Sequence, residues 1–180
     1  MAKKLLILDL DETLIHAVEA PLERPHDFET ELYYVYKRPY VHEFLEFAKD
    51  LFEVAVWTSA GSDFAQTVYE NVFGENYELQ FMWSRERCTQ YFNPEYYNHE
   101  YVKNLAKVKR RGYGLEDVIM VDDTPAKLRK NYGNLVRIEE FVGDPADKEL
   151  LRLQAYLVDL EKEDNMRKVE KRGWASRYSV

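Results

Sequence analysis

Two short apolar runs in this chain each stop on a pair of acids. Residues 5–8 read LLIL and lead into Asp9 and Asp11; residues 118–121 read VIMV and lead into Asp122 and Asp123. A run of four apolar residues without polar alternation suits a strand buried on both faces, the habit of a parallel sheet covered by helices. A third run, EVAVWTS at residues 53–59, ends in Thr58 and Ser59. Between the first and third lies PYVHEFLEFAKDLF, where Val41, Phe44, Leu45, Ala48 and Leu51 recur at helical spacing behind Pro39. Alternating strands and helices predict a three-layer α/β/α, Rossmann-like fold with a mostly parallel central sheet. Ligands of such sheets bind beyond the carboxyl ends of the strands. The polar strand ends therefore converge on one crevice.

The remaining segments fit that frame. Residues 14–27 read as loop, and ELYYVYKRP (31–39) as a strand forming a small antiparallel hairpin with LIHAVE. FAQTVYENVF reads as a helix capped by Ser62 or Asp63 and ended by Gly74. LQFMWS (79–84) is a strand candidate, whereas RERCTQYFNPEYYNHE shows no assignable period. YVKNLAKVKRRG reads as a helix stopping at Gly112, and TPAKLRKNYG as a helix begun at Pro125. NLVRIEEF (134–141) closes the strands. Residues 144–172 read as a helix with a stripe of Leu150, Leu153, Leu157 and Leu160, and 173–180 as a tail, mobile or docked by Trp174. Residues 1–180 are expected to form a single domain.

Composition narrows the partners. A net charge of -8 disfavours a general nucleic-acid binder. One cysteine, Cys88, cannot form an internal disulfide, and no run approaches the roughly 18 apolar residues of a membrane helix. The N-terminal apolar stretch is short for a signal peptide. The expectation is a cytoplasmic protein without a membrane partner, nuclear if eukaryotic.

Asp9, Asp11, Asp122 and Asp123 around one crevice repel one another strongly. A hard divalent cation with oxygen ligands resolves the repulsion, and few carboxylates plus waters suit Mg²⁺. The absence of a His or Cys cluster argues against zinc. Thr58 and Ser59 supply donors and Lys103 a positive charge, which together describe a phosphate site. A carboxylate can also attack phosphorus; Asp9 suits that role, with Asp11 two residues on as proton donor and then water activator.

These residues carry a resemblance. DLDET (Asp9 to Thr13), WTS, Lys103 in YVKNL, and VDDTP resemble, in order, the four motifs of the haloacid dehalogenase superfamily of phosphatases. KRPYVHEFLEFAKDLFEVAVWTS and YVKNL…VIMVDDTP are similar to its NLI-interacting-factor-like branch, the RNA polymerase II C-terminal-domain phosphatases, over about Lys4 to Phe141. The resemblance implies Asp9 as nucleophile, Asp11 as general acid/base, and Thr58 and Lys103 as phosphate holders. It implies Asp9, the Asp11 backbone carbonyl and Asp123 at Mg²⁺, with Asp122 supporting. RERC is similar to a segment near that family's substrate phosphate, which makes Arg85 a candidate contact. Two positions depart from the pattern. HAVEAP, with Glu19, stands where an aromatic residue often helps a pocket for substrate proline, and Asp123 stands where Asn is common. TQYFNPEYYNH is also longer and more aromatic than the usual loop.

About 45 residues separate Thr13 from Thr58, and about 45 more lead to Lys103. Each interval already holds a helix and a strand, leaving room for a hairpin and a loop but no large cap domain. An open site suits phosphoryl groups on a macromolecule, so a phosphoprotein or phosphopeptide is the expected substrate, phosphoserine or phosphothreonine before phosphotyrosine. The alternatives are a nucleic-acid end, a small phosphate ester, or a non-catalytic phospho-binding module. Taken singly, Thr58 and Ser59 are a helix cap, Lys103 a solvated lysine, Arg85 a surface arginine and Cys88 core packing; their order along the chain is what favours the chemical reading.

Overall fold

The computed structural model describes residues 3–74 and 76–178. Its strands run in the order β1 (Leu5–Leu8), β2 (Ile15–Val18), β3 (Phe28–Glu29), β4 (Tyr34–Lys37), β5 (Glu53–Trp57), β6 (Met82–Trp83), β7 (Thr89–Asn93), β8 (Asn98–Val102), β9 (Val118–Asp122) and β10 (Leu135–Arg137). The helices are α1 (Val41–Leu51), α2 (Ser62–Val72), α3 (Ala106–Lys109) and α4 (Glu149–Glu161). The central sheet has the order β10-β9-β1-β5-β6, every pair parallel.

The apolar runs are continuous because both faces of this sheet are covered. Leu6, Leu8, Val54, Val56, Ile119 and Val121 point to one side and pack with α1, α2 and α4. Leu5, Ile7, Ala55, Trp57, Val118 and Met120 point to the other and meet Leu105, Val108 and Leu128. The expected three layers are present, but unequally: the second face is covered by the single turn of α3 and by short 3-10 turns.

Register positions the site. Leu8 lies opposite Val56 on one side and Val121 on the other. The next residues, Asp9, Trp57 and Asp122, therefore come level, and Asp9 N–H donates to the Val121 carbonyl at 3.0 Å. Two antiparallel pieces rise from the sheet. The expected hairpin of β2 and β4 is joined by β3 into a three-stranded sheet. The unassigned stretch after Arg85 forms a second hairpin, β7 with β8.

Several boundaries differ from expectation. The helix expected from Pro39 begins at Val41, because Tyr40 adopts a left-handed φ of 64°. Ser62 and Asp63 do not cap α2; they are its first two residues, behind Gly61. Lys103 is not helical: Tyr101 and Val102 belong to β8, and the helix shrinks to α3. TPAKLRKNYG makes only short 3-10 turns, at Pro125–Leu128 and from Tyr132. The C-terminal helix ends at Glu161, and residues 162–172 run on in turns. They are tied there by the Lys171 ammonium, which donates to the carbonyls of Met166, Val169 and Gly133. The tail is docked: Trp174 is buried and stacks on Tyr156. The final two residues of that tail lie outside the described residues.

Candidate active site

The site is built where β1, β5 and β9 end. Asp9, Thr58, Lys103 and Asp122 are all fully buried. Buried charges need partners, and the partners are here. Lys103 Nζ lies 2.6 Å from Asp122 Oδ2 and 2.9 Å from Asp9 Oδ1. It is held there because β8 delivers it over the sheet and its N–H donates to the Lys127 carbonyl at 2.8 Å. A second ammonium, Lys127 Nζ, lies 2.8 Å from Asp9 Oδ2, 3.6 Å from Asp122 Oδ1 and 3.8 Å from Asp123 Oδ1. Sequence reasoning missed Lys127. Its signal was a lysine four residues after Asp123, behind a proline that fixes the turn.

These charges set the acidities. Burial alone pushes the Asp9 carboxyl up, but Lys103 and Lys127 beside it outweigh that and hold it below the usual carboxylate range. Asp9 stays an anion. Asp11 is pushed up to about 6, by burial and then by the charge of Asp9. Asp122 is raised to about 6 by the same two causes, opposed by the lysines.

Asp11 sits in the turn after β1. Glu12 adopts a left-handed φ of 58° there, its N–H donates to the Ile15 carbonyl at 2.8 Å, and its carboxylate meets His16 Nδ1 at 2.8 Å. The turn swings the Asp11 carboxylate toward β5, where Thr58 Oγ1 donates to Asp11 Oδ2 at 3.3 Å. Thr58 Oγ1 accepts from Ala60 N–H at 3.0 Å. Thr13 N–H donates to the Leu10 carbonyl, closing the turn, while its hydroxyl is buried without a hydrogen-bond partner among the described residues.

Ser59 Oγ is also buried and has no hydrogen-bond partner among the described residues, and the Ser59 carbonyl accepts from Arg85 Nε at 2.8 Å. Arg85 lies on the 3-10 turn after β6, with its guanidinium over the Tyr101 ring at 5.2 Å. It thus joins the β7–β8 hairpin to the site. The outer end of that hairpin exposes Phe92, Tyr96 and Tyr97. Cys88 is buried, and burial pushes its thiol up, so it is packing and not a nucleophile.

A divalent cation fits this donor set. Asp9, Asp122 and Asp123 each offer an oxygen within 4.8 Å of the others. Asp123 Oδ1 is buried and lacks a hydrogen bond among the described residues, while Asp9 Oδ1 faces the Lys103 ammonium at 2.9 Å. Asp122 is already engaged, by Lys103 and by Thr124 N–H at 2.9 Å, as a supporting group would be. The Asp11 carboxylate is not one of this trio; it is turned to Thr58.

A parallel α/β sheet with acids beyond two neighbouring strands and a buried lysine between them has the architecture of a haloacid-dehalogenase-type phosphatase. Within that class the chain belongs to the NLI interacting factor-like phosphatase family, whose model matches residues 4–167. It is 32% identical over 169 residues to a CTD small phosphatase-like protein 2 of Dictyostelium discoideum, covering 90% of this chain and 28% of that one. It is 31% identical over 173 residues to a human CTD small phosphatase-like protein, covering 91% and 58%. This chain therefore spans between about a quarter and three-fifths of those relatives. The fold is similar to that of Fcp1, described as an essential RNA polymerase II CTD phosphatase, with a TM-score of 0.60 at 20% identity over 89% of this chain and 50% of that chain. It is also similar to a protein of Listeria monocytogenes, with a TM-score of 0.59 at 16% identity over 89% of this chain and 99% of that chain.

Proposed function

We propose that this chain hydrolyses phosphomonoesters with Mg²⁺, through an aspartyl-phosphate, on phosphoserine or phosphothreonine of a protein. One observation carries the reading: a fully buried carboxylate, Asp9, kept anionic by two ammonium groups just beyond the carboxyl end of β1.

Asp9 attacks phosphorus and the ester P–O bond breaks. Asp11, raised to about 6, is the neighbouring group able to hold a proton near neutrality, and it gives that proton to the departing oxygen. As an anion it then takes a proton from water. The resulting hydroxide attacks the aspartyl-phosphate, and inorganic phosphate leaves with Asp9 restored. Thr58 orients Asp11 through its hydroxyl. Lys103 holds Asp9 and Asp122 in place and offers positive charge to the phosphoryl oxygens. Ser59 Oγ, buried and without a hydrogen-bond partner among the described residues, is a further donor to them. Mg²⁺, held by Asp9, Asp123 and the Asp11 carbonyl with Asp122 behind, would supply charge neutralisation for the transferring group.

A macromolecular substrate is supported by what stands beside the site, a three-stranded sheet and a hairpin, with no large lid domain among the described residues. The exposed aromatic end of the β7–β8 hairpin, linked to the site through Arg85, favours a polypeptide. The names of its relatives, CTD small phosphatase-like proteins, agree with that. The test is hydrolysis of p-nitrophenyl phosphate with and without Mg²⁺, for the native chain and Asp9→Asn, followed by phosphopeptides, oligonucleotide ends and metabolites in parallel. Turnover should need both Mg²⁺ and Asp9, and phosphopeptides should lead. Turnover surviving Asp9→Asn would overturn the mechanism; oligonucleotides or metabolites leading would overturn the substrate class.

A further inference from the structure

The Lys127 ammonium reaches one oxygen of each carboxylate in the trio. It lies 2.8 Å from Asp9 Oδ2, 3.6 Å from Asp122 Oδ1 and 3.8 Å from Asp123 Oδ1. Those three residues are the ones whose oxygens gather within 4.8 Å of one another. We propose that Lys127 is a built-in cation for this cluster, which a divalent ion must displace, so that Lys127 sets how tightly the site holds Mg²⁺. The proposal rests on reading the cluster as a Mg²⁺ site.

The two lysines are not equivalent. Lys103 is fully buried and fixed between Asp9 Oδ1 and Asp122 Oδ2. Lys127 keeps 19% of its side chain exposed, so a path to solvent is open to it. It stands on a 3-10 turn behind Pro125 and carries its charge on a flexible four-carbon stem. Its backbone is anchored by the Lys103 N–H, so the stem can swing without the turn moving.

Charge balance gives the direction. Within the trio, three carboxylates face two ammonium groups, leaving one negative charge uncompensated; the Asp11 carboxyl lies outside it, turned to Thr58. Adding Mg²⁺ beside both lysines overshoots to positive, with like charges crowded into a few ångströms. Withdrawing Lys127 makes the cluster neutral with the ion in it. Space agrees with charge, since Mg²⁺ needs oxygens at about 2.1 Å and near-octahedral order. An ammonium facing the same three carboxylates obstructs that. Without metal, Lys127 instead limits the repulsion among the acids. The site is stabilised before the ion arrives and binds the ion less tightly as a result.

The first experiment measures Mg²⁺ affinity by calorimetry on EDTA-stripped, dialysed protein, for the native chain, Lys127→Met and Lys127→Arg. Lys127→Met should bind Mg²⁺ about tenfold or more tighter and melt at a lower temperature than the native chain when metal-free. Lys127→Arg should keep the weaker affinity. Equal or weaker Mg²⁺ binding by Lys127→Met would overturn the proposal. Should that variant not fold without metal, the native chain provides the second test. Labelling with an amine-reactive reagent, read by peptide mass spectrometry, should increase at Lys127 when Mg²⁺ is added, and unchanged or reduced labelling overturns the idea. Absence of Mg²⁺ binding by native chain and variants alike would overturn the metal reading itself, and this inference with it.

Discussion

The hydroxyl of Thr58 donates to Asp11 Oδ2 at 3.3 Å, so the end of β5 reaches across to the turn that follows β1. The contact orients Asp11 without keeping it ionised. Burial and the charge of Asp9 raise its carboxyl from 3.8 to about 6. Between those values the folded chain holds a proton that the unfolded chain has released. Stability from this group therefore falls as pH rises through that window. In metal-free protein, Asp11→Asn should match the native chain near pH 4, gain on it through pH 6, and keep a constant advantage above. Thermal melts in EDTA from pH 4 to 7.5 read this directly. A difference independent of pH would contradict the assigned environment of Asp11.

Lys103 bridges two buried acids, so its removal strands both. Lys103→Met should lower stability by about 3–5 kcal/mol, the cost of breaking a buried ion pair from one side. Adding Asp122→Asn removes one of the stranded charges and should restore part of the loss. Urea melts of the two single variants and the double variant test this. Strictly additive losses would mean that the three groups do not act as one cluster.

A second ion pair, its arginine buried and its aspartate half-buried, supports the turn after β1 from behind. Arg38, 1% exposed, donates through Nε to Asp147 Oδ1 at 2.9 Å and through Nη2 to Asp147 Oδ2 at 2.8 Å. Its Nη1 donates to the Thr13 carbonyl at 3.1 Å. Asp147 Oδ1 also accepts the Glu149 N–H at 2.9 Å, at the start of α4. Asp147→Ala should lower stability by about 3 kcal/mol or more, because Arg38 is left charged and buried. It should also slow turnover, because the Thr13 turn carries Asp11. Arg38→Met with Asp147→Leu, which removes both charges, should recover stability; failure to recover it would place the cost elsewhere.

How much of this was legible follows from how local each signal is. The strands bearing Asp9, Thr58 and Asp122 were readable because each is an uninterrupted apolar run, and such a run needs a sheet covered on both faces. Lys103 was readable as a charge on the site but not in its setting: helical spacing in KNLAKV hid the fact that Tyr101 and Val102 pair with Gln90 and Thr89. Lys127 lay inside a segment that reads as a helix; only the replacement of that helix by short 3-10 turns brings it over the acids. The β7–β8 hairpin lacked an alternating pattern because it stands largely clear of the core, with Phe92 outward and Tyr91 under Arg129 and Lys130. Residues 162–172 carried Met166 and Val169 at helical spacing, yet the buried Lys171 ammonium takes the carbonyls of both and ties the segment to the Gly133 carbonyl.

The docking of the tail makes a last test possible, because it ties the C-terminal segment to the sheet edge near the site. Trp174, 3% exposed, lies parallel to Tyr156 with ring centroids 5.0 Å apart, and its Nε1 donates to the Arg137 carbonyl at 2.6 Å. Arg137 ends β10 directly opposite Asp122 on β9. Trp174→Ala should therefore cost about 3–5 kcal/mol, the range for emptying a large aromatic site. Trp174→Phe keeps the stacking but leaves the Arg137 carbonyl without its donor, and should cost about 1–3 kcal/mol. The edge strand should loosen with it. Amide exchange at Val136 and Arg137 is expected to quicken in Trp174→Ala, while exchange in β1 and β5 follows only the global loss of stability. Exchange quickening uniformly across all five strands would mean that Trp174 supports the whole core and not the edge beside Asp122.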